Sequence, residues 1–269
     1  MSEVSGKVSL PVLSYSKVSS YKRCPKCYKL GYIDKLPKVE KPYTVLGNFC
    51  HSVLEAFHKH WMQTPVDKDK FKTVMRDSFA LQREKYKERI QKEQVDDAYG
   101  MMKTYLEHIS DPKTIFPNIV SLEQKIWETV NDEFIFLGYI DRVQFDKEDN
   151  VFHIVDYKTT QKKQYLKDDT QIKLYGHFIA LNNPEIENIR VSYILLKHKM
   201  QYMTKEYNVS ALAEAKDHFV EQWHELKNDQ LFRANAGFGS CTICDYVDIC
   251  QEGRDLIHRK KSYFGETDW

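Results

Sequence analysis

Hydrophobic residues recur at helical spacing through most of the first hundred positions of the chain. In residues 45–61 they repeat every three or four positions, and the same spacing occurs in 67–90 and 94–109, which are rich in Lys, Glu and Gln. Apolar residues at i, i+3, i+4 and i+7 form one stripe along a helix. The pattern therefore predicts amphipathic helices that make a helical region of residues 45–112.

A shorter helix is predicted before this region, over residues 16–30. Ser14 or Ser16 would cap its start, because a serine hydroxyl accepts a hydrogen bond from an N–H group of the first turn. Pro25 must interrupt or kink this helix, because proline lacks the N–H group and its ring clashes with the preceding turn.

From residue 119 onward the hydrophobic period changes from helical to extended. Residues 119–130 alternate in part, and 133–146 show a strong strand pattern that ends at the polar sequence of 147–150. A second apolar run then begins at Val151. Two alternating apolar runs joined by a short polar turn are typical of an antiparallel hairpin.

The rest of the chain returns to a mixture of helices and strands. We expect a helix over 168–182, stopped by Asn-Asn-Pro, strands over 188–199 and 201–209, and a helix over 209–228. An irregular tail that carries cysteines follows. The elements together predict a mixed α/β fold, with a central sheet flanked by helices.

Composition and charge limit the class of protein. The chain has 269 residues, of which 42% are hydrophobic and 29% are charged, and this is typical of a globular protein. The formal net charge of +1 excludes a uniformly basic surface for nucleic acid. Local basic clusters remain near both ends: Lys22, Arg23, Lys26 and Lys29, and Arg259, Lys260 and Lys261.

The sequence shows no secretory signal and no apolar run of membrane-spanning length. We therefore expect a cytoplasmic protein without a membrane segment. Thiols stay reduced in that compartment, where clustered cysteines more often bind metal than form disulfides.

Acidic and basic side chains occur together at the end of the predicted hairpin. Asp156 and Lys158 are two positions apart, so they project from the same side of a strand. Asp141 would lie near Asp156 if the turn is at 146–150. Two close carboxylates repel each other unless a cation lies between them, and oxygen ligands suit Mg²⁺ or Mn²⁺. An exposed ion pair explains Asp156 and Lys158 alone, but two strongly apolar strands with a second acid favour a metal site.

Four further residues extend this candidate site. His51 lies in a predicted helix and could bind Mn²⁺ through a neutral imidazole, although a lone helical histidine is more often packed or solvated. Glu123 is a weaker candidate for an added ligand. Gln171 and Tyr175 are four apart and share one helical face, which could bind a DNA backbone or stack a base. Taken alone, this pair is more simply a half-buried tyrosine beside a solvated glutamine.

The cysteines suggest a second site. Cys241, Cys244 and Cys250 have the spacing C-x2-C-x5-C and need a fourth ligand, which Cys24 or Cys27 could supply. Soft thiolate ligands select zinc or an iron–sulfur cluster. Spacing alone leaves zinc as an alternative to the cluster.

These motifs together resemble the PD-(D/E)XK nuclease superfamily. Within it they resemble the RecB-like branch with an iron–sulfur cluster, which includes AddB-type recombination nucleases and CRISPR adaptation exonucleases. The matching motifs are G-x-x-x-H at 47–51, G-x-I-D-R at 138–142, D-x-K at 156–158, Q-x-x-x-Y at 171–175, and Cys-Pro at 24–25 with the cysteines of 241–250. The D-x-K motif has Asp where many relatives have Glu.

The resemblance implies a fold and a set of site residues. The fold would be a restriction-endonuclease-like core in one nuclease domain of residues 1–269, with the helical region at 45–112, the catalytic core at 119–228 and an iron–sulfur staple joining residue 24 to 241–250. The implied catalytic residues are Asp141, Asp156, Lys158, Gln171 and Tyr175. The implied metal ligands are His51, Asp141, Asp156 and Tyr157. The implied 4Fe–4S ligands are Cys24, Cys241, Cys244 and Cys250, with Cys27 a bystander.

The implied function is Mg²⁺- or Mn²⁺-dependent hydrolysis of DNA, often from the end of a single strand. The pathway would be DNA repair, recombination, phage DNA metabolism or CRISPR adaptation. The sequence has no G-x-x-x-x-G-K-[ST] motor motif, so the nuclease would act alone or beside a helicase, a recombinase or a CRISPR adaptation partner. The alternative is a nucleic-acid-binding or partner-interaction module with a structural cluster and no nuclease activity. The complete set of Asp141, Asp156 and Lys158 argues against that alternative.

Overall fold

A computed structural model describes residues 9–38, 40–63, 67–110, 118–160 and 168–264, with side chains as far as Ile257. Its helices are α1 (Tyr15–Arg23), α2 (Pro25–Tyr28), α3 (Pro42–Gln63), α4 (Phe71–Tyr86), α5 (Lys92–Ser110), α6 (Thr170–Leu181), α7 (Val209–Asn228), α8 (Phe238–Cys241) and α9 (Gln251–Phe264). Its strands are β1 (Val12–Leu13), β2 (Ile119–Val130), β3 (Phe134–Asp146), β4 (Val151–Lys158), β5 (Asn188–Leu195) and β6 (Gln201–Asn208). Among these described helices, none is both long and apolar enough to cross a bilayer.

The chain packs into two compact units. The larger unit contains Glu40–Glu128 and Leu137–Lys216, and the smaller unit contains Met1–Val39, Thr129–Phe136 and Asp217–Trp269. The larger unit holds α3, α4, α5 and α6 with strands β4, β5 and β6. The smaller unit holds α1, α2, α8 and α9, together with five of the six cysteines.

The sheet is mixed, as predicted, and helices flank it. In the larger unit, β3 and β4 form the predicted antiparallel hairpin, from Arg142 opposite Val155 to Asp146 opposite Val151. Strand β4 pairs in parallel with β5, and β5 pairs antiparallel with β6. Strand β2 also pairs with β3. In the smaller unit, β1 pairs in parallel with Ile135 and Phe136.

The apolar stripe of α3 forms the core of the larger unit. Phe49, Val53 and Phe57 follow one another at four-residue intervals and are buried. They belong to one cluster with Phe71 of α4 and Tyr105 of α5. Full burial of a side chain of this size contributes about 1.5–3 kcal/mol. The predicted amphipathic helices are therefore confirmed by the face that each one buries.

The helix predicted over 16–30 is divided at the proline. Helix α1 ends at Arg23, Cys24 is extended with φ −162° and ψ 105°, and Pro25 is the first residue of α2. Proline forces the preceding residue out of helical geometry, yet it fits the first position of a helix. The predicted interruption is confirmed, and Ser14 is the cap that accepts a hydrogen bond from Lys17 N–H.

Three other bounds differ from the prediction. The strand predicted to reach residue 199 ends at Leu195, because residues 196–198 form a 3₁₀ turn and Lys199 then adopts φ 51°. Strand β1 has only two residues, which are too few to show a period. The tail predicted to be irregular, residues 237–250, contains the short helix α8, and helix α9 follows it without having been predicted.

The basic cluster near the N-terminus is largely paired. Within the smaller unit, Lys22 pairs with Glu225 and Lys26 with Glu252, each at 2.6 Å, and Lys29 pairs with Asp34 at 2.7 Å. Such exposed pairs contribute at most about 1 kcal/mol each. This cluster is therefore a neutralised surface rather than a binding patch. The side chains of the second cluster, at 259–261, lie outside the described part of the chain.

His153 lies within a chain of hydrogen bonds that crosses strands β3 to β6. The Gln144 amide donates to His153 Nδ1 at 3.3 Å, and His153 Nε2 donates to the Ser192 hydroxyl at 2.7 Å. The Ser192 hydroxyl in turn lies 2.7 Å from the Thr204 hydroxyl. These bonds require a neutral imidazole. Burial, with Arg142 and Arg190 nearby, lowers the pKa of His153 to about 4.

We expect the free energy of unfolding to fall as the pH drops below about 6.5, the ordinary pKa of histidine. Between pH 6.5 and the folded pKa of about 4, the unfolded chain binds a proton on His153 that the folded chain does not bind. One such proton gives a slope of about 1.4 kcal/mol per pH unit. Urea unfolding at pH 7, 6 and 5 measures it.

The matched variant is His153→Gln, because glutamine keeps one donor and one acceptor but does not titrate. The free energy of unfolding of this variant should change less steeply with pH than that of the wild type, by about 1.4 kcal/mol per pH unit, which corresponds to one proton. Equal slopes in the two proteins would contradict a neutral, buried His153.

Candidate metal centre and active site

The register of the β3–β4 hairpin brings two acids together. Asp141 of β3 precedes the pair of Arg142 and Val155, so it lies opposite Asp156 of β4. The backbone N–H of Tyr157 donates a hydrogen bond to Asp141 Oδ2 at 2.7 Å. The register thus puts the two acids at neighbouring positions of the sheet, at the end of the hairpin where their approach is predicted.

Asp156 and Lys158 form a largely buried ion pair. Asp156 is 6% exposed, and its Oδ2 lies 2.7 Å from Lys158 Nζ. Burial raises the pKa of Asp156, Lys158 opposes this rise, and the Asp141 charge adds to it. Burial alone would lower the pKa of Lys158, but the Asp156 carboxylate outweighs burial and raises it. The Lys158 ammonium group therefore lies beside the Asp156 carboxylate. Because Asp156 is buried, the alternative of an ion pair on an exposed strand does not apply.

His51 joins helix α3 to both strands of the hairpin. Its Nδ1 lies 3.1 Å from Asp141 Oδ1, and its Nε2 lies 2.9 Å from the carbonyl oxygen of Tyr157. Burial lowers the pKa of His51, but Asp141 outweighs burial and raises it to about 9. Tyr157, which was predicted as a metal ligand, contacts His51 through its backbone carbonyl and Asp141 through its backbone N–H.

Glu123 of β2 joins this group, although it was only a weaker candidate on sequence grounds. One ligand atom each from His51, Glu123 and Asp141 lie within 4.8 Å of one another. Glu123 has φ 45°, a left-handed conformation that is uncommon for a side chain of this kind and that clusters at functional sites. Burial, followed by repulsion from Asp141, raises the pKa of Glu123 to about 7.

The donor set fits a hard divalent cation. It combines an imidazole nitrogen with carboxylate oxygens, which are ligands for Mn²⁺ and Mg²⁺. Burial keeps the pKa values of Glu123 and Asp156 raised despite the nearby positive charges, so their charged forms are only partly compensated. A divalent cation would favour those charged forms. His51 would have to release the proton that Asp141 stabilises before its nitrogen could bind the ion. His51, Glu123 and Asp141 could then hold such an ion, whereas the predicted ligand Asp156 lies outside this group of ligand atoms.

The Gln171–Tyr175 pair lies on one face of α6, as its spacing predicts. Gln171 Nε2 donates to the Tyr175 hydroxyl at 2.9 Å, and the backbone of Tyr139 also hydrogen-bonds this hydroxyl. Burial raises the pKa of Tyr175 to about 12, and the charges of Asp156 and Asp141 contribute to the rise. The phenol is thus a protonated, oriented group within electrostatic range of both acids.

A buried polar network below the site was not predicted from the sequence. Arg142, 3% exposed, lies 2.7 Å from the Tyr157 hydroxyl and 3.0 Å from the Tyr105 hydroxyl. The Tyr105 hydroxyl also lies 2.6 Å from His58 Nε2, and burial with Arg142 nearby lowers the pKa of His58, so this ring is neutral. Strand alternation could have predicted part of this network, because it turns the Arg142 side chain to the face of β3 opposite Asp141.

Five cysteines line one cavity of the smaller unit: Cys24, Cys27, Cys241, Cys244 and Cys250. The Sγ atoms of Cys27 and Cys244 lie 3.2 Å apart. Contact with Cys244 lowers the pKa of Cys27 to about 6, and nearby Arg23 contributes. Thiolates are the ligands of zinc and iron–sulfur sites, so the cavity fits the predicted class of metal group. Cys24 and Cys27 both face it.

We expect wild-type protein to bind Mn²⁺ and to lose roughly 10- to 100-fold in affinity on Asp141→Asn or Glu123→Gln, because each removes a charged donor. Isothermal titration calorimetry measures the affinity. The matched control is Glu148→Gln in the turn at the opposite end of the hairpin, which should bind as the wild type does. Wild-type affinity in Glu123→Gln would remove Glu123 from the ligand set.

Comparisons with known proteins bear on the fold and the family of the chain. No curated protein matches the chain. A solved structure described as a "Putative exonuclease" from Eubacterium rectale is similar to it at 10% identity and a TM-score of 0.53, over 80% of each chain, and this shows a shared fold. A structure described as SSO0001 aligns at 12% identity over 83% of this chain and 93% of that one, with a TM-score of 0.31.

The family comparison covers most of the chain and the whole hairpin site. The model of the PD-(D/E)XK nuclease superfamily matches residues 12–251. That range contains Asp141, Asp156 and Lys158 in the geometry just described. The chain therefore belongs to the PD-(D/E)XK nuclease superfamily.

Proposed function

We propose that this nuclease hydrolyses phosphodiester bonds in DNA with Mg²⁺ or Mn²⁺, and that it acts as an exonuclease on single-stranded ends. The observation that carries the proposal is the hairpin on which Asp141 lies opposite Asp156, with the Lys158 ammonium 2.7 Å from Asp156. Metal-dependent hydrolysis of a phosphodiester needs acids that bind a cation and a positive charge beside them, and this arrangement supports that chemistry.

The chemistry divides between the cation and the protein. A bound divalent cation supplies a Lewis acid, which polarises the phosphoryl oxygen and lowers the pKa of a water ligand. The protein fixes the acids: Asp141 is held by the Tyr157 N–H and by His51, so its carboxylate has a set orientation. Lys158 offers its ammonium group where negative charge develops on the phosphate.

The α6 pair would bind the DNA backbone beside this centre. Because the pKa of Tyr175 is raised to about 12, the phenol keeps its proton at neutral pH and can donate to a phosphate oxygen. Gln171 donates to the same hydroxyl and so orients it. This role for Gln171 and Tyr175 is orientation of the scissile strand rather than proton transfer.

We expect the purified chain to degrade end-labelled single-stranded DNA when Mg²⁺ or Mn²⁺ is added. Asp156→Asn and Lys158→Met should each reduce the rate by at least about 100-fold, because each removes a charge that the transition state uses. Lys147→Met is the matched control, since Lys147 is an exposed lysine in the hairpin turn. Strands labelled at the 5′ or 3′ end report the polarity. Full activity in both site variants would refute the assignment.

We also propose that the smaller unit binds a 4Fe–4S cluster, as the RecB-like branch does. Cys24, Cys241, Cys244 and Cys250 would be the ligands, with Cys27 in place of Cys24 as the alternative. The support is the cavity that all five cysteines line, since it offers four cysteine sulfurs for a cluster and one more. Zinc is the competing occupant, because it accepts the same ligands.

Anaerobically purified protein should be brown, absorb broadly near ~400 nm and contain about four irons per chain. Cys250→Ser should lower the melting temperature more than it lowers the nuclease rate per folded chain, because the cluster joins distant segments. Cys50→Ser is not a suitable control, because Cys50 is buried in the core of the larger unit. Cys27→Ser and Cys24→Ser identify the fourth ligand by iron content. A colourless protein with stoichiometric zinc would show that the cluster assignment is wrong.

We place this activity in the cytoplasm, in DNA repair, recombination, phage DNA metabolism or CRISPR adaptation. The nuclease would act alone or beside a helicase, a recombinase or a CRISPR adaptation partner. The support is the set of RecB-like motifs in the sequence.

A further inference from the structure

Two large aromatic side chains are exposed on the strands that carry the metal-binding acids. Trp127 of β2 and Tyr139 of β3 are each 49% exposed. Lys125 is also exposed, and its Nζ lies 4.2 Å from the centre of the Trp127 ring. We call these three residues the β2–β3 aromatic face. Among the tryptophans whose side chains the structure describes, Trp127 is the exposed one, whereas Trp223 is 7% exposed and Trp61 is half-buried.

The aromatic face continues directly from the candidate site. Glu123 of β2 and Asp141 of β3 have ligand atoms within 4.8 Å of each other. Lys125 is two residues after Glu123, and Tyr139 is two residues before Asp141. On β3, side chains two apart share a face, so Tyr139 lies on the face of Asp141, and Ile140 between them is buried. On β2, Lys125 and Trp127 share a face on either side of the buried Ile126. The exposed Tyr139 ring therefore adjoins the acids along β3.

Hydrogen bonds join β2 to β3 and β3 to helix α6. Asn118 and Phe145 are joined by two hydrogen bonds, one from the Phe145 N–H to the Asn118 carbonyl at 3.0 Å and one from the Asn118 amide to the Phe145 carbonyl at 3.3 Å. The backbone of Tyr139 also hydrogen-bonds the Tyr175 hydroxyl. Aromatic rings on a fixed strand can bind a planar group without first losing much conformational freedom.

The chemistry of the face favours an unpaired nucleotide. An open ring offers a surface on which a base stacks, and the Lys125 ammonium is complementary to a phosphate. Bases inside a duplex already stack on each other, so they do not present their flat faces to a protein. A protein partner usually covers a wider apolar patch with few charges at its centre. Two aromatic rings beside a lysine do not form such a patch.

We propose that the β2–β3 aromatic face binds single-stranded nucleic acid, with bases stacked on Trp127 and Tyr139 and a phosphate paired with Lys125. The inference rests on the proposed nuclease function, and it names the part of that site that selects unpaired strands. The face would lead the strand toward Glu123 and Asp141.

The experiment measures binding without cleavage. Fluorescence anisotropy with a labelled 12-nucleotide oligo-dT, in EDTA and with the Asp156→Asn chain, keeps the strand intact. Trp127→Ala in that background should weaken binding roughly 5- to 150-fold, which corresponds to the loss of one stacked base. Trp127→Phe should recover most of the affinity, because phenylalanine keeps a flat ring. A thermal melt of each variant checks its fold.

The matched control is Tyr99→Ala, since Tyr99 of α5 in the same unit is 62% exposed but is not on this face. It should leave the affinity unchanged, and a duplex of the same length should bind equally with and without Trp127. If Trp127→Ala binds oligo-dT as the parent does, or weakens duplex and single strand equally, the inference is overturned.

The same design separates this inference from the proposed function. If Trp127→Ala weakens oligo-dT binding but the wild-type chain cuts no DNA with any divalent metal, the nuclease proposal fails and the binding face stands. If the wild-type chain cuts single strands, and Trp127→Ala has the same affinity and the same cleavage rate as its parent, the nuclease proposal stands and the binding face fails.

Discussion

The candidate site depends on one electrostatic constraint, which is the placement of two acids opposite each other on a buried hairpin. Each acid has its own compensating partner. Burial would raise the pKa of Asp141, but His51 outweighs burial and lowers it, and the Tyr157 N–H adds a hydrogen bond. Burial raises the pKa of Asp156, and the opposing effects of Lys158 and, to a lesser extent, His51 do not cancel that rise. Asp156 and Glu123 therefore keep negative charge that nearby positive groups only partly compensate, and a divalent cation would compensate the rest.

Strand alternation lets the same few residues serve the site and the core. Asp141 faces the acids, whereas Arg142 turns to the buried side and reaches the Tyr157 hydroxyl at 2.7 Å. Tyr157 therefore holds Asp141 and His51 through its backbone and Arg142 through its side chain. Movement of either strand would disturb both sets of bonds. Burying a guanidinium group costs free energy of desolvation. Here the buried Arg142 side chain bonds the same tyrosine whose backbone holds Asp141.

The sequence predicted what depends on period and spacing, and missed what depends on tertiary contact. The hairpin followed from two alternating runs around a polar turn, and its register then fixed Asp141 opposite Asp156. Glu123 was underestimated because its left-handed φ of 45° interrupts the alternation of β2, and a lone glutamate has no spacing signature. The partners of Arg142 come from three separate elements, so no local pattern could identify them. The choice between Cys24 and Cys27 was open in the sequence and stays open, since both line the cavity.

The two units separate hard ligands from soft ones, and this separation supports two different metal groups. The larger unit offers a nitrogen and carboxylate oxygens, which suit Mg²⁺ and Mn²⁺ but bind thiophilic metals less selectively. Its one cysteine, Cys50, is fully buried, and burial raises its pKa to about 12, so it is a thiol and not a ligand. All other cysteines are in the smaller unit, around one cavity. Ligand type alone can therefore direct a hard cation to the acids and a thiophilic group to the cysteines, because neither site offers the donors that the other group prefers.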